Sequence, residues 1–90
     1  MNFDWFNIFN LTEFSNDMLV SRNLTVSLES YGEKEVLITR GNLFSVVFED
    51  VIMPIGFEGD NPFVREGEEK HYAVYKDTDE NVWLGIEVDE

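Results

Sequence analysis

Cysteine is absent from this sequence, proline occurs twice, and there is a single histidine. Without thiols the chain can form no disulfide framework, thiolate nucleophile or zinc–thiolate site. No apolar run approaches the ~20 residues that span a bilayer, and Asp4 stands where a signal peptide carries positive charge. We therefore expect a cytoplasmic protein with no bound cofactor or metal.

Basic residues are also scarce, because six Lys and Arg stand against nineteen Asp and Glu, for a formal net charge of -13 at pH 7. Such a charge repels phosphate backbones, which argues against direct nucleic-acid binding. The lone His71 accompanies no Gly-x-Ser-x-Gly nucleophile motif, and no phosphate-binding glycine motif occurs. These absences predict a protein that is not an enzyme.

Apolar residues, by contrast, are plentiful. They make up 43% of the chain and include eight Phe, three Tyr and two Trp. Acidic chains that stay disordered lack such residues, so this chain is expected to fold. Its 90 residues are enough for one small core, which predicts a single domain over residues 1–90.

The first segment, from Phe3 to Phe14, is aromatic-rich and has apolar residues at mixed spacings of two to three. Asn2 is available as an N-cap, and Asp4 would lie near the positive end of a helix dipole. This pattern predicts one short N-terminal helix.

From Leu19 onward the apolar residues alternate, as strands require. Three successive strands, with the second at 35–40 and the third at 43–48, predict an antiparallel meander. Pro54 must then lie at an edge, a bulge or a strand end, and 58–69 reads as a surface loop. A final hairpin is predicted with strands at 71–76 and 82–88.

The predicted fold class is therefore α+β and mainly β. It comprises an antiparallel sheet of about five strands, built from the meander and the C-terminal hairpin, with the short N-terminal helix packed on it. A small, partly open β-barrel satisfies the same pattern.

Acidic residues are concentrated toward the C-terminus, since residues 58–90 hold eleven acids and three bases. Carboxylates held on a rigid scaffold can block the basic groove of a protein that handles nucleic acid. Aromatic residues near them would act as anchors, and Trp83 is expected to point away from Leu84 and Ile86. The candidate partner-binding residues are Glu66, Glu68, Glu69, Asp77, Asp79, Glu80, Tyr75 and Trp83.

These residues predict a small acidic inhibitor that binds and blocks a basic protein partner. The first hypothesis is an immunity protein that neutralises a cognate nuclease toxin. The second is a phage or mobile-element mimic of nucleic acid that inhibits restriction or CRISPR machinery. A third is a non-enzymatic structural or adaptor domain, with a homodimer formed through an exposed strand edge as one possible arrangement.

Overall fold

A computed structural model describes residues 2–13, 22–40, 44–55, 62–67 and 70–88. Within these ranges eight strands form two antiparallel four-stranded sheets. The strands are β1 (Phe3–Asn10), β2 (Arg22–Leu28), β3 (Gly32–Arg40), β4 (Phe44–Phe48), β5 (Val51–Ile55), β6 (Phe63–Glu66), β7 (His71–Lys76) and β8 (Asn81–Glu87). A 3-10 turn at Leu11–Glu13 follows β1.

One sheet, which we call the meander sheet, contains β2, β3, β4 and β5 in chain order. The predicted antiparallel meander is thus confirmed, and it gains a fourth strand. Pro54 lies in β5, at the edge of this sheet, where a missing N–H costs no ladder hydrogen bond. Its place is therefore one of the three predicted for it, which were an edge, a bulge or a strand end.

The other sheet, which we call the terminal sheet, has the order β1-β8-β7-β6. The predicted C-terminal hairpin is confirmed as β7 and β8, but the predicted N-terminal helix is wrong. Residues 3–10 form β1, which pairs antiparallel with β8. The register shifts between Asn7 and Phe9, and this bulge buries both Ile8 and Phe9.

Strand β6 is a second correction, because Phe63–Glu66 lies within the segment predicted to be a loop. It pairs with β7 from Phe63 opposite Val74 to Glu66 opposite His71. The strand has only four residues, and three of them are exposed, so it has no alternating pattern to detect.

The core lies between the two sheets, where inward-facing residues of both form one cluster. Val36, Val46 and Met53 come from the meander sheet, and Val74 and Leu84 from the terminal sheet; all five are fully buried. The antiparallel, mainly β class is confirmed. The sheets are not closed into a barrel, and they number two instead of one.

In the part of the chain that the structure describes, no helix has the length and apolar character needed to cross a membrane.

Candidate functional site

The outer face of the terminal sheet carries a group of aromatic side chains. Because strand residues alternate between faces, the residues next to the buried Val74 and Leu84 point outward. Tyr75 stands opposite Trp83 across β7 and β8. Phe3 and Trp5 of β1 lie on the same side, since Trp5 pairs with Gly85. We call Phe3, Trp5, Tyr75 and Trp83 the aromatic face.

The rings of the aromatic face contact one another in sequence. The Phe3 and Trp5 centroids are 5.5 Å apart, and the Trp5 and Tyr75 rings meet edge to face at 5.0 Å. Tyr75 and Trp83 are nearly parallel, at 12° and 6.4 Å. Trp5 remains 37% exposed. The result is a continuous, partly solvent-exposed aromatic surface across three strands.

Small residues beneath the rings bring the rings close to the sheet. A Cβ atom on Gly85 would lie 2.8 to 3.0 Å from carbons of the Trp5 ring, so the indole packs directly on the backbone of β8. Ala73, the neighbour of Gly85 on β7, is completely buried. The Trp5 ring is therefore held against the sheet in one orientation.

Asp77 organises the turn at one end of the aromatic face. Its Oδ1 accepts the backbone N–H groups of Asp79 at 2.9 Å and Asn81 at 3.0 Å. Its Oδ2 accepts the Trp83 indole N–H at 2.9 Å. The Trp83 hydrogen bond, followed by those from the turn, lowers the pKa of Asp77 from its ordinary value. Asp77 thus fixes both the turn and the Trp83 ring.

Glu87 and His71 lie at the other end of the same sheet. The Oε1 atom of Glu87 accepts the backbone N–H of His71 and lies 3.2 Å from the His71 Nδ1. The hydrogen bond to the His71 ring is the main reason that the pKa of Glu87 is lowered. Glu66 of β6 lies beside them, because it pairs with His71 of β7, and it is exposed.

The predicted partner-binding residues fall into separate groups. Asp77, Asp79 and Glu80 lie in the β7–β8 turn, whereas Glu66 lies at the opposite end of β7. Six residues of extended chain separate the two ends, which is ~20 Å at ~3.4 Å per residue. These acids therefore do not form one patch, and they occupy the two ends of the aromatic face instead.

The remaining predicted residues have different surroundings. Glu80 has a left-handed φ of 68° and forms a 3.0 Å ion pair with Lys76. Tyr75 and Trp83 are brought together, with Trp83 on the face that alternation predicts. Glu68 and Glu69 lie outside the described residues.

Phe3 and Trp5 are members of the aromatic face that the sequence prediction missed. Both were assigned to a helix, in which residues two apart do not share a face. As strand residues, Phe3, Trp5 and Asn7 do share one, and this spacing of two was the available signal.

No known protein family, curated protein or solved structure matches this chain. Among the described residues, no group of three or more His, Asp and Glu side chains is placed to hold a metal ion. The candidate site is therefore defined by its own geometry: partly exposed rings with carboxylates at both ends.

The lowered pKa of Asp77 predicts a pH-dependent contribution to stability. A carboxylate whose pKa is lower in the folded state stabilises the fold above its ordinary pKa, and the effect is lost as pH falls through the folded value. Asp77→Asn is expected to lower the melting temperature by several degrees at pH 6. The gap between wild type and variant should close as the pH falls below the ordinary aspartate pKa of ~3.9, as measured by circular dichroism.

Asp79→Asn is the matched control, because the exposed Asp79 carboxylate accepts no hydrogen bond from the described residues. It removes the same charge from the same turn and should leave a gap of about one degree or less at every pH. Equal pH profiles for the two variants would contradict the assigned role of Asp77.

Proposed function

We propose that this protein is a small acidic inhibitor that binds and blocks a basic protein partner through the aromatic face. We further propose that the partner is a nuclease toxin, which the protein neutralises as an immunity protein inside the cell that produces both. Inhibition is stoichiometric, and it requires the face to cover the basic groove of the toxin.

The observation that carries this proposal is a partly exposed aromatic surface with carboxylates at both ends. Trp and Tyr are the residues most enriched at binding hot spots, because they bury a large area at low conformational cost. Aromatic faces attract Arg and Lys, and carboxylates pair with the same side chains. A protein surface rich in Arg and Lys therefore complements both the rings of the aromatic face and the carboxylates at its ends.

The net charge of -13 supports the same partner class. Complementary fields raise association rates toward ~10⁸ to 10⁹ M⁻¹ s⁻¹ at low salt. Fast association suits an inhibitor that must capture a nuclease before nucleic acid in the same cell is damaged. The rings would then slow dissociation, since apolar anchors act mainly on the off-rate.

The spacing of the acids beside the aromatic face favours a specific toxin partner over mimicry of nucleic acid. Duplex DNA carries one charge per ~1.7 Å of its axis. On the terminal sheet, however, the two groups of carboxylates are ~20 Å apart along the strand direction, and the rings lie between them. The charges of such a surface are spaced unlike those of a phosphate backbone, whereas a combination of rings and carboxylates is what a protein–protein interface uses.

Co-expression provides the test. The probe is a basic C-terminal nuclease domain, sought in the gene directly upstream of this one and produced in cells with and without the acidic protein. We expect co-expression to restore growth and the two proteins to co-purify. Affinity measured by calorimetry should fall at least tenfold between 50 and 300 mM NaCl because salt screens the charged contacts.

A catalytically inactive version of the same nuclease domain serves as the control, since it should bind equally well while its toxicity is absent. The proposal fails if no such gene lies upstream, or if the nuclease domain neither binds nor loses toxicity. Displacement of the protein by duplex DNA from several unrelated DNA-binding proteins would point to the mimic instead.

A further inference from the structure

The two sheets have four edge strands, and three of them carry features that oppose pairing with another chain. β1 contains the bulge at Asn7 to Phe9. β5 contains Pro54, which cannot donate to a ladder. β6 has only four residues and includes the charged Arg65 and Glu66. Bulges, prolines, short strands and charges are the usual devices that keep sheet edges from associating.

β2 has neither a bulge nor a proline, and its one charged residue, Arg22, is the first residue of the strand. It pairs with β3 without a register shift from Arg22 to Leu28, over seven residues, and it contains no proline. Its outward residues Asn23, Thr25 and Ser27 are exposed and uncharged. Its inward residues Leu24 and Val26 pack against the core but are only partly buried. β2 is therefore a long, regular edge that no described strand covers.

We infer that β2 binds β2 of a second copy of this chain, antiparallel, around a two-fold axis at Thr25. In this register Thr25 stands opposite its own copy, Asn23 opposite Ser27, and Leu24 opposite Val26. Neutral side chains thus meet on the outer face, and apolar ones meet on the core face. A two-fold axis needs such a self-complementary edge. The two meander sheets join into one eight-stranded sheet.

Repulsion between the two negatively charged copies is the main term that opposes dimerisation, and the distance between their acids determines how the dimer responds to salt. Glu29 directly follows β2 at the end of the edge strand, and the row of acids beside the edge, Glu33 and Glu35, lies on β3, one strand in. Across the axis, the β3 strands of the two copies are three strand spacings, or ~14 Å, apart. This distance exceeds the Debye length of ~8 Å at physiological ionic strength, so added salt screens the repulsion between the two rows. Salt should therefore strengthen the dimer, whereas it weakens binding to a basic partner.

Analytical ultracentrifugation of the whole chain at 20 and 500 mM NaCl tests the inference. We expect the dimer dissociation constant to fall at least tenfold at the higher salt. Thr25→Lys and Thr25→Glu each place like charges opposite each other on the axis, and each should weaken the dimer at least tenfold. An equimolar mixture of the two variants should restore dimers, because opposite charges then meet.

Thr78→Lys and Thr78→Glu are matched controls, because Thr78 is an exposed threonine in the β7–β8 turn. They should dimerise like the wild type. A second measurement uses the absence of native cysteine. Thr25→Cys should form an intermolecular disulfide under mild oxidation, since directly opposed strand residues have Cβ atoms close enough for the bond, whereas Thr78→Cys should not.

A wild type that stays monomeric at millimolar concentration in 500 mM NaCl overturns the inference. The inference is also overturned if the Thr25→Lys and Thr25→Glu variants dimerise as well as the Thr78 variants. The inference is independent of the proposed function, because the aromatic face belongs to the other sheet. A nuclease assay with the Thr25→Lys variant tests the aromatic face alone. Failure of the proposed function can therefore be distinguished from failure of the proposed dimer.

Discussion

Trp5→Ala is expected to weaken binding of the nuclease domain by about 30-fold or more, the effect of losing a hot spot worth ~2 kcal/mol. Trp5 is 37% exposed, contacts Phe3 and Tyr75, and packs on the Gly85 backbone. It is therefore accessible to a partner and already held in place, so little side-chain entropy is lost on binding. Calorimetric titration of the variant measures the effect.

Ile52→Ala is the matched control for Trp5→Ala. Ile52 is 56% exposed and lies on β5, where it points away from the core shared with the terminal sheet. Its truncation removes an exposed apolar side chain from the other sheet and should change affinity by less than about twofold. If both variants bind as the wild type does, the aromatic face is not the interface. If both bind equally weakly, the loss is not specific to that face.

Phe48→Ala should lower the free energy of unfolding by about 3–5 kcal/mol, the range for buried phenylalanine truncation. Phe48 is 1% exposed on β4, and its ring meets Tyr72 of β7 at 5.4 Å, so it joins the two sheets. Against a total stability of ~5–15 kcal/mol for a domain, the loss is severe. Urea denaturation followed by circular dichroism measures it.

Phe48→Leu keeps most of the volume and should cost about half as much as Phe48→Ala or less. A loss below ~1 kcal/mol for Phe48→Ala would show that the space at Phe48 collapses freely. In that case the two sheets would be joined mainly by other side chains.

Most of the strands were predictable because the apolar residues that face the core recur at every second position. Leu24, Val26 and Leu28 alternate with Asn23, Thr25 and Ser27, and β2 forms where that pattern lies. β1 was not predictable in this way for two reasons. Its outer face is aromatic at Phe3 and Trp5, and its bulge buries two consecutive residues. Together these give the mixed spacing that a helix also produces.

The candidate site was predictable only in part. The outward direction of Trp83 follows from alternation along β8, and its pairing with Tyr75 follows from the hairpin. The contribution of Trp5 depends on β1 pairing with β8, a contact between the two ends of the chain that no local pattern specifies. The separation of Glu66 from Asp77 likewise depends on β6, which has no detectable period.

The pairing of β1 with β8 also determines when, during translation, the aromatic face can assemble. Phe3 and Trp5 have no neighbouring strand until residues 81–87 are made, because β8 is the partner of β1. During translation, the ribosome must therefore release nearly all of these residues before the rings can assemble, whereas the hairpin contacts within 22–55 need only nearby chain. A nascent chain stalled before Asn81 would carry Phe3 and Trp5 without their partner strand, and the aromatic face would form only after synthesis had passed that point.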